Sequence, residues 1–298
     1  MRKISILIVL AIASTMSLEA QQLQLTSQFQ LHNFMYNAGA AGMSKYTYLG
    51  ATYRTMWSGI SGSPKTAMIY GSGLWQKMNI GWGGLLYNDK TGPTSRTGLQ
   101  GAFNYQLKVS KKGRLAMGLE LRALQFYINK AKLAESIPND PLLNGSSSKF
   151  KFDVGAGLYY NDDKLQIGIA ASQLAQSKLG IGNASNTDED GRLYRHFYGL
   201  ASYVWQADEN TTIIPNFLTV YLPNAPTEYI VGAKVIHSEI LWWGLSLNLR
   251  QSWSVQAGYI FRKKLAIGYS YDIYRTPLSI YYPGSGAHEI SLRYDFVK

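Results

Sequence analysis

Hydrophobic residues recur at every second position along most of this chain. Near the C-terminus Ile290, Leu292, Tyr294 and Phe296 alternate with Glu289, Ser291, Arg293 and Asp295. Before them, Leu265, Ile267, Tyr269, Tyr271 and Ile273 alternate with Ala266, Gly268, Ser270 and Asp272. Trp253, Val255, Ala257, Tyr259 and Phe261 alternate with Ser254, Gln256 and Gly258, and the same period runs through residues 115–121, 150–160 and 165–169. Successive side chains on a strand point to opposite faces, so each segment has one apolar face and one face of glycine, hydroxyl, amide or charge. Strands of a water-soluble sandwich are mostly ~5–6 residues long. These run to about 10, the length of a tilted strand that crosses a bilayer. In hydrocarbon an open sheet edge would leave N–H and C=O groups without partners, so such a sheet must close. The pattern predicts an all-β fold: a transmembrane antiparallel up-and-down β-barrel.

Fourteen segments are predicted, starting near Tyr46, Thr66, Asn79, Thr94, Arg114, Lys149, Lys164, Leu193, Thr211, Glu228, Leu241, Trp253, Lys264 and His288. Bacterial barrels have even strand numbers, so one missed or split pair would make about 12 or 16. The even-numbered connections are short: around Trp75-Gln76, residues 110–113, Asp162-Asp163, residues 207–210, Ser238-Glu239 and Arg262-Lys263. The long ones, residues 55–63, 131–148, 174–192 and 274–287, are odd-numbered, and the short connection at residues 250–252 breaks that trend. Short periplasmic turns and long extracellular loops place both termini in the periplasm. Trp57, Tyr87, Tyr160, Trp205, Tyr221, Trp242 and Trp253 lie near segment ends. An interfacial aromatic girdle accounts for this, as does the ordinary preference of aromatics for strands.

The first residues break the pattern. Arg2 and Lys3 precede an apolar run over residues 4–13, and Ala20 leads into Gln21-Gln22, which reads as a secretory signal peptide over residues 1–20. Residues 21–45 lack clean alternation and are expected to form a periplasmic or lumen-tucked segment, with the barrel over residues 46–298.

Composition narrows the chemistry. Only 16% of residues are charged, against about 25% in soluble domains. The absence of cysteine excludes a disulfide scaffold, a Cys-ligated zinc and a cysteine nucleophile. After residue 20 no stretch reaches the ~18 apolar residues of a spanning helix. The net charge is +11, but Lys and Arg are scattered rather than clustered with stacking aromatics, so no nucleic-acid partner is expected. In an outer membrane the natural anionic neighbour is a lipid head group or lipopolysaccharide phosphate. His32, His196, His237 and His288 sit on separate segments without metal-ligand spacing, and Asp188-Glu189-Asp190-Gly191 lacks the spaced oxygens of a calcium loop. No P-loop, G-x-S-x-G or dinucleotide fingerprint is found. No catalytic residue, metal or cofactor is therefore predicted, and the chain reads as non-enzymatic.

Four motifs, in order along the chain, resemble the PorP/SprF family of outer-membrane proteins of the type IX secretion and gliding apparatus. Asn37-Ala38-Gly39-Ala40-Ala41-Gly42 resembles the family's N-P-A-x-A-G, with Ala38 in place of Pro and Gly39 in place of Ala. Tyr53-Arg54-Thr55-Met56-Trp57, followed by Pro64 and Thr66, resembles Y-R-x-Q-W…G-x-P-x-T, with Met56 in place of Gln. The glycine-rich stretch from Gly81, leading into Asn88-Asp89 and Gly92-Pro93, resembles the glycine strand and N-D-x-x-G-P turn. His288, Glu289 and Phe296 belong to a segment that resembles the family's closing strand. The roles of these residues are unassigned and expected to be structural. The resemblance implies a part in the export or surface retention of large adhesin-like proteins. It implies as partners a secreted protein with a C-terminal sorting domain and the periplasmic type IX components. The rival reading is a general or solute-specific porin, because inward Gly, Ser, Gln, Asp and Arg suit a wet lumen.

Overall fold

A computed structural model describes residues 26–135, 146–178, 193–223, 225–275 and 286–297. The alternating segments form β1 (Tyr48–Met56), β2 (Lys65–Trp75), β3 (Ile80–Thr91), β4 (Thr94–Lys108), β5 (Arg114–Asn129), β6 (Ser146–Asn161) and β7 (Leu165–Ser172). They continue with β8 (His196–Tyr203, resuming after Val204 as Trp205–Gln206), β9 (Thr211–Tyr221), β10 (Glu228–His237), β11 (Leu241–Asn248), β12 (Ser252–Phe261), β13 (Leu265–Tyr274) and β14 (Ala287–Asp295). Each strand pairs antiparallel with its sequence neighbours, and β1 pairs with β14 from Tyr48↔Asp295 to Met56↔Ala287. The sheet is thus a closed ring of 14 strands, as the periodicity predicted. A soluble two-layer sandwich is ruled out by this closure and by what faces outward.

The two faces are inverted relative to a soluble protein. Leu119 and Phe152 are each 69% exposed, and Ile69, Leu121, Ile169 and Leu245 point the same way. Between them Gln100, Asn104, Glu120, Arg122, Asp153 and Glu289 are buried on the inside. In water such a continuous apolar exterior would aggregate; against lipid it is the stable arrangement.

The turn end is built from tight hairpins. Ser238-Glu239 and Arg262-Lys263 have positive φ at both central residues (54° and 55°, 50° and 56°). That is the type I′ geometry whose twist matches a β-hairpin. An ion pair from Lys263 to Glu239 ties these neighbouring turns together. At Asp162 the backbone N–H groups of Leu165 and Lys164 donate to the carboxylate and hold its pKa below the usual range. The opposite end carries the connections that the sequence marks as long. Residues 249–251, which depart from that trend, form a short turn there between β11 and β12. The sequence motif Asp188-Glu189-Asp190-Gly191, the predicted signal peptide and most of the longest loops lie outside the described residues.

Not every segment-end aromatic faces outward. Trp205, Tyr221 and Trp253 do, but Tyr87 and Trp242 are buried inside. Strand parity is the reason: Leu86 takes the outward position beside Tyr87, as Leu241 and Trp243 do beside Trp242. A single inward aromatic therefore marks the wall of the lumen and not a girdle.

Replacing Leu121 with Arg puts a charge on the lipid face of β5. We expect it to cost about 2–4 kcal/mol if the position lies near the bilayer midplane. Urea unfolding in lipid vesicles measures this; a loss near zero would place Leu121 at the interface.

Candidate functional site

A 14-stranded ring is too wide for its own side chains to fill, since about 8 strands is the size at which they do. Here residues 26–43 run inside it, through two 3₁₀ segments, Phe29–Met35 and Ala38–Ala40. Phe34, Met35 and Tyr36 are buried in one cluster with the inward-facing Tyr70, Leu85, Tyr198 and Leu218. Full burial of such a side chain is worth roughly 1.5–3 kcal/mol.

Irregular backbone inside a barrel needs partners for every N–H and C=O. The wall supplies them. Asn104 Nδ2 donates to the carbonyls of Ala38 (2.9 Å), Gly39 (3.0 Å) and Ala41 (2.7 Å). Arg122 Nη2 donates to the Met35 carbonyl at 2.7 Å while its Nε bonds the Glu120 carboxylate at 2.9 Å. Gln100 Nε2 donates to Glu120 at 2.7 Å and faces the Phe34 and Met35 carbonyls at 3.3 Å. The segment also reaches outward. Asn37 accepts from its own turn at Gly39 N–H (2.8 Å) and donates to the strand carbonyls of Leu158 (2.9 Å) and Ile169 (3.1 Å).

Two glycines show how tightly the segment is seated. A Cβ on Gly157 would lie 2.2 Å from Asn37 Oδ1. Gly42 has φ +68° and a Cβ there would lie 2.4 Å from the Gly73 carbonyl, so only glycine turns the chain out toward β1.

At the loop end the segment is held by charge. Arg54 on β1 donates to Asp272 (2.6 Å) on β13 and to Glu289 (3.1 Å) on β14. Ser27 completes the cluster: its N–H and that of Gln28 donate to Glu289 at 2.9 and 3.1 Å, and its Oγ donates to Asp272 at 2.8 Å. Arg54 Nη1 donates in turn to Ser27 Oγ. Gln256 Nε2 donates to the Ser27 carbonyl at 2.8 Å. Asp272 and Glu289 are each two residues from the loop end of their strands, as is Arg54. The described chain therefore begins at the loop end and crosses to the turn end at Gly42. The last strand also stops at the turn end. The expectation that both termini lie at the turn end thus does not extend to the first described residues.

A cavity of about 200 Å³ remains above the segment, lined by Arg54, Thr66, Asp89 and Asp272 among others. A second, of about 160 Å³, lies below it toward the turn end, beside Lys234 and Arg293.

The motif residues divide accordingly. Asn37 and Gly42 belong to the lumen segment. Arg54 and Glu289 meet in the buried cluster, and Thr66 donates to Asp89 at 2.7 Å in the cavity above it. Trp57, with φ 51°, donates its N–H to Gly286, and the Pro64 carbonyl accepts from Met56, both in the loop region. Gly92-Pro93 makes the β3–β4 turn. Tyr53, Asn88, His288 and Phe296 face outward, where Asn88 donates to Thr97 at 2.8 Å and His288 Nδ1 bonds Tyr269 OH at 2.7 Å. Ser27, Gln100, Asn104, Glu120, Arg122 and Asp272 were not singled out from the sequence. For the five strand residues the signal was polarity on the inward parity of an alternating strand; Ser27 lies in the irregular segment and carried no such signal. Among the described residues no three metal-ligating side chains converge.

The family described as type IX secretion system membrane protein PorP/SprF matches residues 18–294. The chain belongs to the PorP/SprF family. This PorP/SprF protein is an outer-membrane barrel of type IX secretion. Its fold is similar to that of the toluene transporter TbuX of Ralstonia pickettii, with a TM-score of 0.53 and 10% identity over 89% of this chain and 93% of that one. The monoaromatic hydrocarbon channel CymD gives a TM-score of 0.49 at 10% identity over 93% and 94% of the two chains. A FadL homologue of Pseudomonas aeruginosa gives 0.48 at 11% over 88% and 93%. No curated protein sequence matches the chain.

Replacing Arg54 with Ala leaves two buried carboxylates without their cation. The expected loss is about 3–5 kcal/mol of unfolding free energy. Arg54→Lys restores only part of it, because a point charge replaces a two-sided fork. Urea titration in vesicles reads both; a loss below about 1 kcal/mol would mean the cluster behaves as a solvated surface pair.

Proposed function

We propose that this barrel serves type IX secretion as a rigid, non-enzymatic platform that helps export or hold large adhesin-like surface proteins bearing a C-terminal sorting domain. In this reading the loop end faces the exterior, where residues 131–148 and 174–192 meet the exported partner. The turn end and the C-terminus face the periplasmic components of the system. The observation that supports a platform is the lumen segment, bonded to the wall along its length. Cavities of about 200 and 160 Å³ on either side of it are far too small for a folded polypeptide. The exported protein would pass beside this barrel, not through it.

The porin reading is supported by those same two polar cavities and by the transporter named for TbuX, whose fold is similar. Planar-bilayer recording separates the two. The intact protein should be electrically silent and a variant lacking residues 26–42 should conduct. Steady current through the intact barrel would favour the porin.

Two further outcomes follow from the platform reading. Deleting residues 131–145 and 174–192, which leaves every strand intact, should abolish partner retention while the barrel still folds; unchanged retention rejects the loop assignment. Because the chain has no cysteine, single probes report orientation. Ser61→Cys in the first loop should react with an impermeant maleimide on intact cells, and Lys111→Cys in a turn only after lysis.

A further inference from the structure

Outward-facing residues near the loop end form two adjoining recesses of opposite character. The lower is an apolar groove of about 420 Å³ on the lipid face. Its floor is made by the small side chains of Ala51 and Ala67, and Tyr53, Ile69, Leu86 and Ile290 stand around it. The upper is a cavity of about 550 Å³ that holds Lys65, Lys90 and Lys132 together with Ser58, Ser61 and Ser63.

Strand register makes the two one surface. Tyr53, Ala67, Asn88 and Thr97 form a cross-strand row at the top of the groove, and Thr55, Lys65, Lys90 and Ser95 form the next outward row. Two residues along a strand is about 7 Å. Lys65 and Lys90 are direct cross-strand neighbours, an arrangement of like charges that is unfavourable unless an anion lies between them. Lys132 reaches the same cavity from the short helix α1 (Lys130–Ala134). Among the described residues none of the three forms an ion pair with a carboxylate. The cavity wall is fixed, since Gly92 N–H donates to the Gly62 carbonyl at 2.8 Å and pins the first loop to the β3–β4 turn.

We propose that this surface is a binding site for the lipid A portion of lipopolysaccharide, with phosphates on the three lysines and acyl chains in the groove. Three ammonium groups flanked by serine hydroxyls suit a head group carrying more than one phosphate. The groove takes residues from five strands, β14 and β1 to β4, roughly 15–20 Å across, and it opens along the lipid face so that one acyl chain can seat in it with others beside it. The polar row at Asn88, which donates to Thr97 and Ser95, marks the level at which hydrocarbon gives way to head group. The proposal rests on the loop end facing the outer leaflet. The labelling of Ser61→Cys tests that orientation separately, and binding to detergent-solubilised protein does not depend on it.

Native mass spectrometry of the delipidated full-length protein, reloaded with purified lipid A, tests the site. One lipid A should be retained, and an equal concentration of phosphatidylglycerol should not displace it. Lys65→Gln, Lys90→Gln and Lys132→Gln combined should lower affinity about 100-fold, at the usual contribution of a lysine beside an anionic lipid. Ala67→Trp, which fills the groove without touching charge, should weaken binding independently. Heat-modifiable gel mobility verifies that each variant remains a barrel. Undiminished lipid A retention by the folded triple variant, or displacement by phosphatidylglycerol at equal concentration, overturns the proposal.

Discussion

In hydrocarbon no backbone N–H or C=O can be left without a partner, and the rest of this structure depends on that constraint. It forces β1 to meet β14, and closure assigns every side chain to lipid or lumen by parity. The consequence is an exterior of Leu, Ile, Phe and aromatic residues and an interior of Gln, Asn, Asp, Glu, Arg and Gly. The apolar exterior contributes nothing to holding the interior together, so internal organisation must come from polar contacts and from whatever fills the ring.

What fills it is the segment that precedes the first strand. It has neither helix nor sheet to satisfy its backbone, so the wall reproduces both kinds of partner. Amide and guanidinium donors of Asn104, Arg122, Gln100 and Gln256 take its carbonyls, and the Glu289 carboxylate takes the N–H groups of Ser27 and Gln28. The same side chains hold two buried charge clusters, Arg54 with Asp272 and Glu289, and Arg122 with Glu120. Removing water from these charges is costly, and it is offset only because each carboxylate also accepts hydrogen bonds. The segment and the clusters therefore stabilise each other: without the segment the carboxylates lose donors, and without the clusters the segment loses its anchor at the loop end.

The two ends of the barrel do different work. Tight hairpins with positive φ leave little at the turn end beyond a compact rim. The loop end concentrates the long connections, the larger lumen cavity and, on the outside, the lysine-lined recess above the apolar groove. On the platform reading proposed above, recognition falls on surfaces around the barrel and its loops, with the lumen as scaffold.

Side-chain alternation is a local property of extended backbone, and so the strands, their outward faces and the 14-membered count were legible in the sequence alone. Turn residues such as Ser238-Glu239 and Arg262-Lys263 marked the hairpins for the same reason. The motif residues Asn37, Arg54 and Glu289 were visible as a family pattern, but nothing along the chain said what they touch. Arg54 is more than two hundred residues from both Asp272 and Glu289, and it meets them and Ser27 only because the ring closes. Tyr87 and Trp242 made the same point from the other side: their place near strand ends suggested a girdle, and one step of parity sent them inward. The path of residues 26–43 was likewise undetermined by their own irregular sequence. Period-two patterning fixes which face a residue occupies, but only closure into a cylinder of a given width decides what lies opposite that face and whether the space between is filled.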